Sequence, residues 1–368
     1  MSIQQITIQN LRNLTQVELE LSPCFNVFFG KNGSGKTSFI EALYLLGHGR
    51  SFRSHLTKRI IQHNETALTV FAKVFDEPSQ GVIPLGIEKT NKGEVNIRRG
   101  GETITSAAAL AALLPLQLIN PDSYRILEAG PKFRRQFLDW GLFHVEHSFF
   151  PLWQRLQRLL KQRNAALKQP GDYGTVAPWD NELIKRSEAI DHMRDSYIIE
   201  FNAIFQNVIG KMLEVDGLKL SYWRGWDRES SLAEVLQRHF YRDQQLGYSQ
   251  YGPHRADLKI TVNGVPAHDV LSRGQQKLVV SAMSLAQGLL LKQQTNKNCI
   301  YLIDDLPAEL DISRRRFLAN TLADCQAQVF VTGVADTDFC DLFPVESTRL
   351  FHVEHGTIAA VEKEECVT

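Results

Sequence analysis

The chain has little cysteine for its 368 residues. Cys24, Cys299, Cys325, Cys340 and Cys366 are an odd number and form no C-x-x-C pair. That argues against a disulfide framework or a cysteine-paired zinc module, and it fits a reducing, cytoplasmic location. Charge of one sign is also missing: 41 Lys and Arg face 41 Asp and Glu. No global positive field recruits nucleic acid, so any such binding must come from a local patch. No uncharged apolar run is long enough to span a bilayer, and Met1 to Ile6 has neither the basic start nor the apolar core of a signal peptide. No membrane partner is therefore expected. Apolar residues are plentiful, at 43%. At this length they suggest about two domains or one large, elaborated domain.

The densest chemical signal is Gly30-Lys31-Asn32-Gly33-Ser34-Gly35-Lys36-Thr37, which fits the phosphate-loop pattern G-x-x-x-x-G-K-[ST]. A buried-strand run, Phe25 to Phe29, precedes it. Ser38 opens a helical run that reaches Leu46 and is closed by Gly47. A loop joining a strand end to a helix N-terminus is where a polyphosphate is best held. The glycines let successive N–H groups turn inward, Lys36 supplies a point charge for the β and γ phosphates, and the Thr37 hydroxyl suits one position of an octahedral magnesium ion.

The rest of the chain reads in three parts. Up to residue 116, alternating runs at Ile6–Ile8, Val17–Leu21 and Ala67–Phe75, with a hairpin signal at Asn91-Lys92-Gly93, predict antiparallel sheet around one long helix. In the turn Asn10 to Leu14, Arg12 is either a nucleotide contact or a surface arginine. From 117 to 245 the pattern becomes helical. Ile190, Met193, Tyr197, Phe201, Ile204, Val208 and Met212 form an apolar stripe, with Leu152, Leu156, Leu159 and Leu160 as its partner, which predicts a projecting antiparallel arm. Along the first arm helix Arg155, Arg158 and Lys161 recur at three-residue steps, with Arg163 and Lys168 near and Lys132, Arg134 and Arg135 ahead of it. This reads either as a track for a phosphate backbone or as a solvated face. From 246 to 368 strands return, among them Ala256–Val262 before Asn263-Gly264. The apolar strand Cys299–Ile303 ends in Asp304-Asp305. A carboxylate at such a strand end orients magnesium opposite a phosphate loop; Asp304 takes that role, and Asp305 is the candidate that polarises an attacking water.

Leu271-Ser272-Arg273-Gly274-Gln275 is close to the L-S-G-G-Q signature of ATP-binding-cassette ATPases and starts a helix. With Pro121-Asp122, Gly130-Pro131, Arg134 to Asp139, Gly252-Pro253-His254-Arg255 and Asp304 to Asp311, the chain resembles the RecF family of bacterial recombination mediators over essentially its whole length. That resemblance implies an α/β, phosphate-loop ATPase head of the SMC type with a mixed sheet and an inserted helical lobe. It implies ATP with Mg2+ as ligands, a homodimer in which Ser272, Gly274 and Gln275 cap the nucleotide of the other copy, Asp311 as a dimer-facing acid, and Gln117 as a nucleotide-sensing glutamine. It further implies weak ATP hydrolysis, DNA at single-strand gaps as a partner, and work with RecR and RecO in loading RecA and in the SOS response. Where many cassette ATPases carry a switch histidine, this chain reads Val331-Thr332-Gly333. A transporter's nucleotide-binding subunit would share the loop and the paired acids, but its signature follows the loop much sooner. An ATP-gated DNA scaffold with negligible turnover is the other alternative.

Overall fold

A computed structural model of the protein describes residues 1–76, 79–104, 106–306, 311–339 and 342–361. The chain opens with β1 (Ser2–Leu11), β2 (Leu14–Glu20), β3 (Phe25–Phe29), α1 (Lys36–His48), β4 (Ala67–Asp76), β5 (Gly81–Thr90), β6 (Val95–Arg99), β7 (Glu102–Thr103), α2 (Ala107–Leu113) and β8 (Leu116–Ile119). There follow α3 (Arg125–Glu128), α4 (Pro131–Val145), α5 (Phe149–Ala166), α6 (Ala177–Met212), β9 (Leu218–Trp223), α7 (Leu232–Arg238), α8 (Phe240–Leu246), β10 (Asp257–Val262), β11 (Val265–Pro266), α9 (Ala267–Val270) and α10 (Arg273–Thr295). The chain closes with β12 (Ile300–Ile303), α11 (Ile312–Asp324), β13 (Gln328–Gly333), β14 (Thr348–Glu354) and β15 (Thr357–Val361).

Two compact units result: Met1–Ser123 with Met283–Thr368, and Tyr124–Ala282. In the first, an antiparallel sheet runs β2-β1-β4-β5-β6-β7, and a second sheet runs β15-β14-β3-β13-β12-β8. In the second sheet β14, β3, β13, β12 and β8 are parallel, and β15 is antiparallel at the edge. Helix α1 packs against strands of both sheets. Phe39, Ile40, Leu43 and Leu46 on its different faces are all fully buried, as expected of a helix that is apolar all round. One core joins β1, β2, β4, β5 and α1 to Ile300, Leu302, Phe330 and Phe351 of the parallel sheet. The register Ile303↔Val331 and Gly333↔Phe29 brings the ends of β12, β13 and β3 to one edge. In open parallel sheets that edge is where ligands bind.

The second unit surrounds α6. Ile190, Tyr197, Phe201, Val208 and Met212 of the expected stripe are buried, while Phe205 replaces Ile204 as the inward residue at its turn. Leu156 and Leu160 of α5 are buried as well. Helix α6 packs against α5 as the expected hairpin and also against α4, α7 and β9, while α5 keeps one face exposed. Strand β9 carried no clear signal in the sequence. It pairs with β10 from Leu218↔Val262 to Trp223↔Asp257, and β11 completes a three-stranded antiparallel sheet. The inserted unit therefore ends near residue 282 instead of 245, and it carries the signature segment that the sequence grouping placed in a C-terminal lobe.

Candidate functional site

The phosphate loop leaves β3 and enters α1 without a side-chain cap, so the N–H groups of the first turn are not taken up by a capping side chain. Two glycines are dictated by space and backbone. Gly30 has φ +150, and a Cβ there would lie 2.1 Å from the carbonyl oxygen of Val353. Gly35 has φ +127, and its Cβ would press on the Asn13 side chain. Asn13, from the β1–β2 turn, donates from Nδ2 to the Ser34 carbonyl (3.0 Å) and accepts from the Ser38 hydroxyl (2.9 Å), holding the loop on both sides.

Asn13, Gly33, Gly35, Lys36, Thr37 and Ser38 line a cleft of about 540 Å³ with Arg12, Arg53, Asp304, Asp305 and Thr332. Lys36 is buried, and its ammonium donates to the carbonyls of Gly30 (2.5 Å) and Lys31 (3.0 Å). Burial pulls its pKa below the ordinary lysine value, and the charges of Asp305 and Asp304 oppose that shift. Asp304 is nearly buried at the end of β12; its Oδ1 accepts from the Thr37 hydroxyl (3.2 Å) and the Thr332 hydroxyl (2.8 Å). Burial raises its pKa, the two hydroxyls lower it, and neighbouring Asp305 raises it further. Asp305 has φ 62, a left-handed conformation an aspartate tolerates, and its N–H donates to the Thr332 oxygen (2.8 Å). Thr332 thus fixes both acids in the segment where a switch histidine is absent. Thr37 and Asp304 form a hard-oxygen donor pair suited to magnesium, which takes its other ligands from water and phosphate.

Arg12 lines this cleft with its guanidinium fixed by Glu41: Nε to Oε2 is 3.0 Å and Nη2 to Oε1 is 2.9 Å. Glu41 on α1 is fully buried. It also accepts from the Ser51 hydroxyl and pairs with Arg53 at 3.4 Å. Asn13, Arg53 and Thr332 were missed by sequence reasoning. Arg53 lies in an aperiodic segment, and nothing local marks Thr332 as a partner of residues 304 and 305.

Gln117 does not join the site. It lies within β8, buried, and donates to the Gln287 side chain at 2.8 Å. A glutamine held in mid-strand cannot sense a nucleotide at the strand ends, so the sensing role is withdrawn. Asp311 caps α11, accepting from the N–H of Arg314 (3.1 Å) and the Ser313 hydroxyl (2.7 Å). Residues 307–310 of its motif lie outside the described residues. In the second unit, Ser272 and Gln275 form a reciprocal cap at the start of α10: the N–H of Ser272 donates to Gln275 Oε1 (2.9 Å), and the N–H of Gln275 donates to the Ser272 hydroxyl (3.3 Å). Ser272 and Gly274 are exposed. Arg273, where the cassette signature has glycine, pairs with Glu128 and stacks 5.1 Å from the Tyr124 ring.

The basic residues divide. Arg155, Arg158 and Lys161 are exposed on α5. Arg134 turns inward onto Asp257, with contacts of 2.7 and 3.1 Å, and donates to the Ala129 carbonyl. Arg135 donates to the Ala256 carbonyl at 2.7 Å. The expected backbone track through Arg134 therefore fails, because a buried carboxylate occupies its guanidinium. Arg163 is fully buried between Asp180 and Asp243 and is no surface residue at all.

With this geometry in view, comparison places the chain. A family model described as the RecF/RecN/SMC N terminal domain matches residues 2–359. The DNA replication and repair protein RecF of Aliivibrio fischeri (strain MJ11) is 48% identical over 98% of this chain and 99% of its own. The chain belongs to the RecF family. The DNA replication and repair protein RecF of Pseudomonas putida (strain GB-1) is 49% identical over 97% of this chain and 98% of its own. Among solved structures, that of the recombination mediator protein RecF-ATP in the RecFOR pathway superposes with TM-score 0.86 at 23% identity, covering 98% of this chain and 99% of that one. The SMC head bound to the C-winged helix domain of ScpA gives TM-score 0.57 at 13% identity over both chains entirely. These two likenesses establish the SMC-type ATPase head fold. Among the described residues, no helix is long and apolar enough to cross a membrane.

Proposed function

We propose that this RecF-family protein is a cytoplasmic, ATP-dependent DNA-binding repair factor that closes as a homodimer on ATP, binds DNA at single-strand gaps and hydrolyses ATP weakly. The observation that carries this reading is the convergence of Lys36, Thr37, Asp304 and Asp305 in one cleft beside an uncapped helix start. Lys36 and the loop N–H groups bind the β and γ phosphates. Thr37 and Asp304 would hold Mg2+, which when bound neutralises charge between those phosphates. Asp305 orients the water, and Thr332 keeps the two acids in place. Arg12 and Arg53 supply positive charge at the rim.

Ser272, Gly274 and Gln275 serve the nucleotide of a second copy. The exposure of Ser272 and Gly274 at the start of α10 supports this, since a second copy can reach them. Asp311 faces the same interface. Arg155, Arg158 and Lys161 follow the DNA backbone, and with RecR and RecO the complex promotes loading of RecA at gaps and so feeds the SOS response.

Sedimentation with and without ATP and a gapped duplex tests the reading. ATP should drive dimerisation, and the dimer should carry the DNA. Ser272→Arg should bind ATP as a monomer and fail to dimerise; a variant that still dimerises refutes the shared site. Asp305→Asn should keep ATP bound while turnover slows, which a coupled phosphate-release assay reads directly.

A further inference from the structure

One cleft of the second unit takes no part in the site above. It measures about 550 Å³ and is bounded by Gly130, Pro131 and Lys132 at the start of α4, by Arg135, by Trp223 at the end of β9, and by Tyr248, Gln250 and Arg255. Among the described residues, no carboxylate lines it. Other arginines of this unit have acidic partners, Arg134 with Asp257 and Arg194 with Asp139. Lys132 and Arg255 are exposed and have none among the described residues. Arg255 lies 5.2 Å over the Tyr248 ring. Arg135 is anchored by the Ala256 carbonyl. Its pKa is lowered by burial and then by Arg194, against Asp139 and Asp257, with Arg255 lowering it further. Helix α4, which starts at this rim, has no side-chain cap.

Aromatic exposure is the second observation. Trp226, Phe201, Phe205 and Phe240 of the same unit are buried, but Trp223 is 39% and Tyr248 41% exposed, and both line the cleft. Neighbouring cations repel one another, and exposed rings leave burial energy unused, so beyond the Arg255–Tyr248 contact the fold gains little from them. Their combination suits a ligand that has anionic groups and flat faces together. Sequence-tolerant single-strand binders use this pairing, with cations on the backbone and rings under the bases.

We propose that this cleft holds unpaired nucleotides of a single strand, with bases stacked on Trp223 and Tyr248 and phosphates held by Lys132, Arg135 and Arg255. A base inside a duplex has no free face to offer, so the cleft selects unpaired DNA. The proposal deepens the gap-binding reading above and rests on it.

Fluorescence anisotropy with a labelled short oligothymidylate, its abasic counterpart and a gapped duplex tests it. Wild-type protein should bind oligothymidylate at least about tenfold more tightly than the abasic strand, since each of the two stacked bases contributes on that scale. Trp223→Ala should shrink that difference severalfold, leaving what Tyr248 provides, and Trp223→Phe should restore most of it. Arg255→Gln should reduce the log–log salt slope for the oligomer by about 0.7. Circular dichroism checks that each variant is folded. Equal affinity for thymidylate and abasic strands, or binding unaffected by Trp223→Ala, overturns the proposal while the gapped duplex still binds. If an acidic aromatic peptide binds and oligothymidylate does not, the cleft is a protein-docking site and the proposal falls. If no DNA form binds, the gap-binding reading falls with it.

Discussion

The two units use charge in opposite ways. In the first, Lys36, Asp304, Asp305, Arg12 and Arg53 are brought to one open sheet edge, each held by a neighbour but still lining a cleft. In the second, much of the charge is consumed inside. Arg163 binds Asp180 through Nε at 2.7 Å and Asp243 through Nη1 at 2.9 Å, and Nη1 also donates to the Ser249 hydroxyl at 2.7 Å. The Tyr173 hydroxyl donates to Asp180, and burial, then that bond, pushes its pKa up to about 12. The difference teaches that basic spacing along a helix does not identify a binding face. Arg158 and Arg163 are five residues apart on α5, one exposed and the other locking α5 to α6 and α8.

The sharpest break is Arg163→Leu, which strands two buried carboxylates. Removing one partner of such a network costs about 3 to 5 kcal/mol. Urea denaturation should show this loss in the second unit's transition, and replacing Asp180 and Asp243 by apolar residues in the same protein should recover most of it. Lys36→Ala should leave the fold alone and remove an interaction worth roughly 1.5 to 3 kcal/mol, so ATP affinity falls at least tenfold in an equilibrium titration.

A pH titration compares one histidine from each unit. Burial, then nearby Arg50, lowers the pKa of His48 to about 4. Burial also brings His254 to about 4, against its bond to the Ser249 carbonyl and helped by Arg255, Arg135 and Arg163. Both folded values lie below the unfolded value near 6.5. Their contribution is complete above that pH and is lost as pH falls from about 6.5 to about 4. Denaturation midpoints should decline over that window, and His254→Gln should flatten the decline for the second unit alone.

The smallest structural effect is expected from reversing Arg155, Arg158 and Lys161 to glutamate. Stability should change by less than about 0.5 kcal/mol per site, as at other exposed positions. The salt dependence of DNA binding should still fall by about one log–log unit for each phosphate that is no longer neutralised. An unchanged slope would make this face merely solvated.

Much of the first unit was legible because its signals are local. The loop at 30–37 follows a strand and starts a helix within a few residues, and the hairpin at Asn91-Lys92-Gly93 announces itself by Gly93, at φ 90; in the second unit Asn263-Gly264 marks a turn in the same way. The stripe of α6 was legible in period, but a one-residue choice between Ile204 and Phe205 depended on which neighbours packed there.

By itself, then, the sequence determined the phosphate loop, the apolar strand before Asp304 and the cap of α10, since each depends on backbone geometry set within one turn or strand. Only the tertiary structure decided that Thr37 meets Asp304 across 267 residues, that Glu41 holds Arg12 and Arg53, that Gln117 is spent on Gln287, and that Trp223, Tyr248 and Arg255 line one cleft. Those meetings follow from sheet register and helix packing. A shift of one residue in β12 or β9 would turn the same side chains to the opposite face, and no run of neighbouring residues records which register wins.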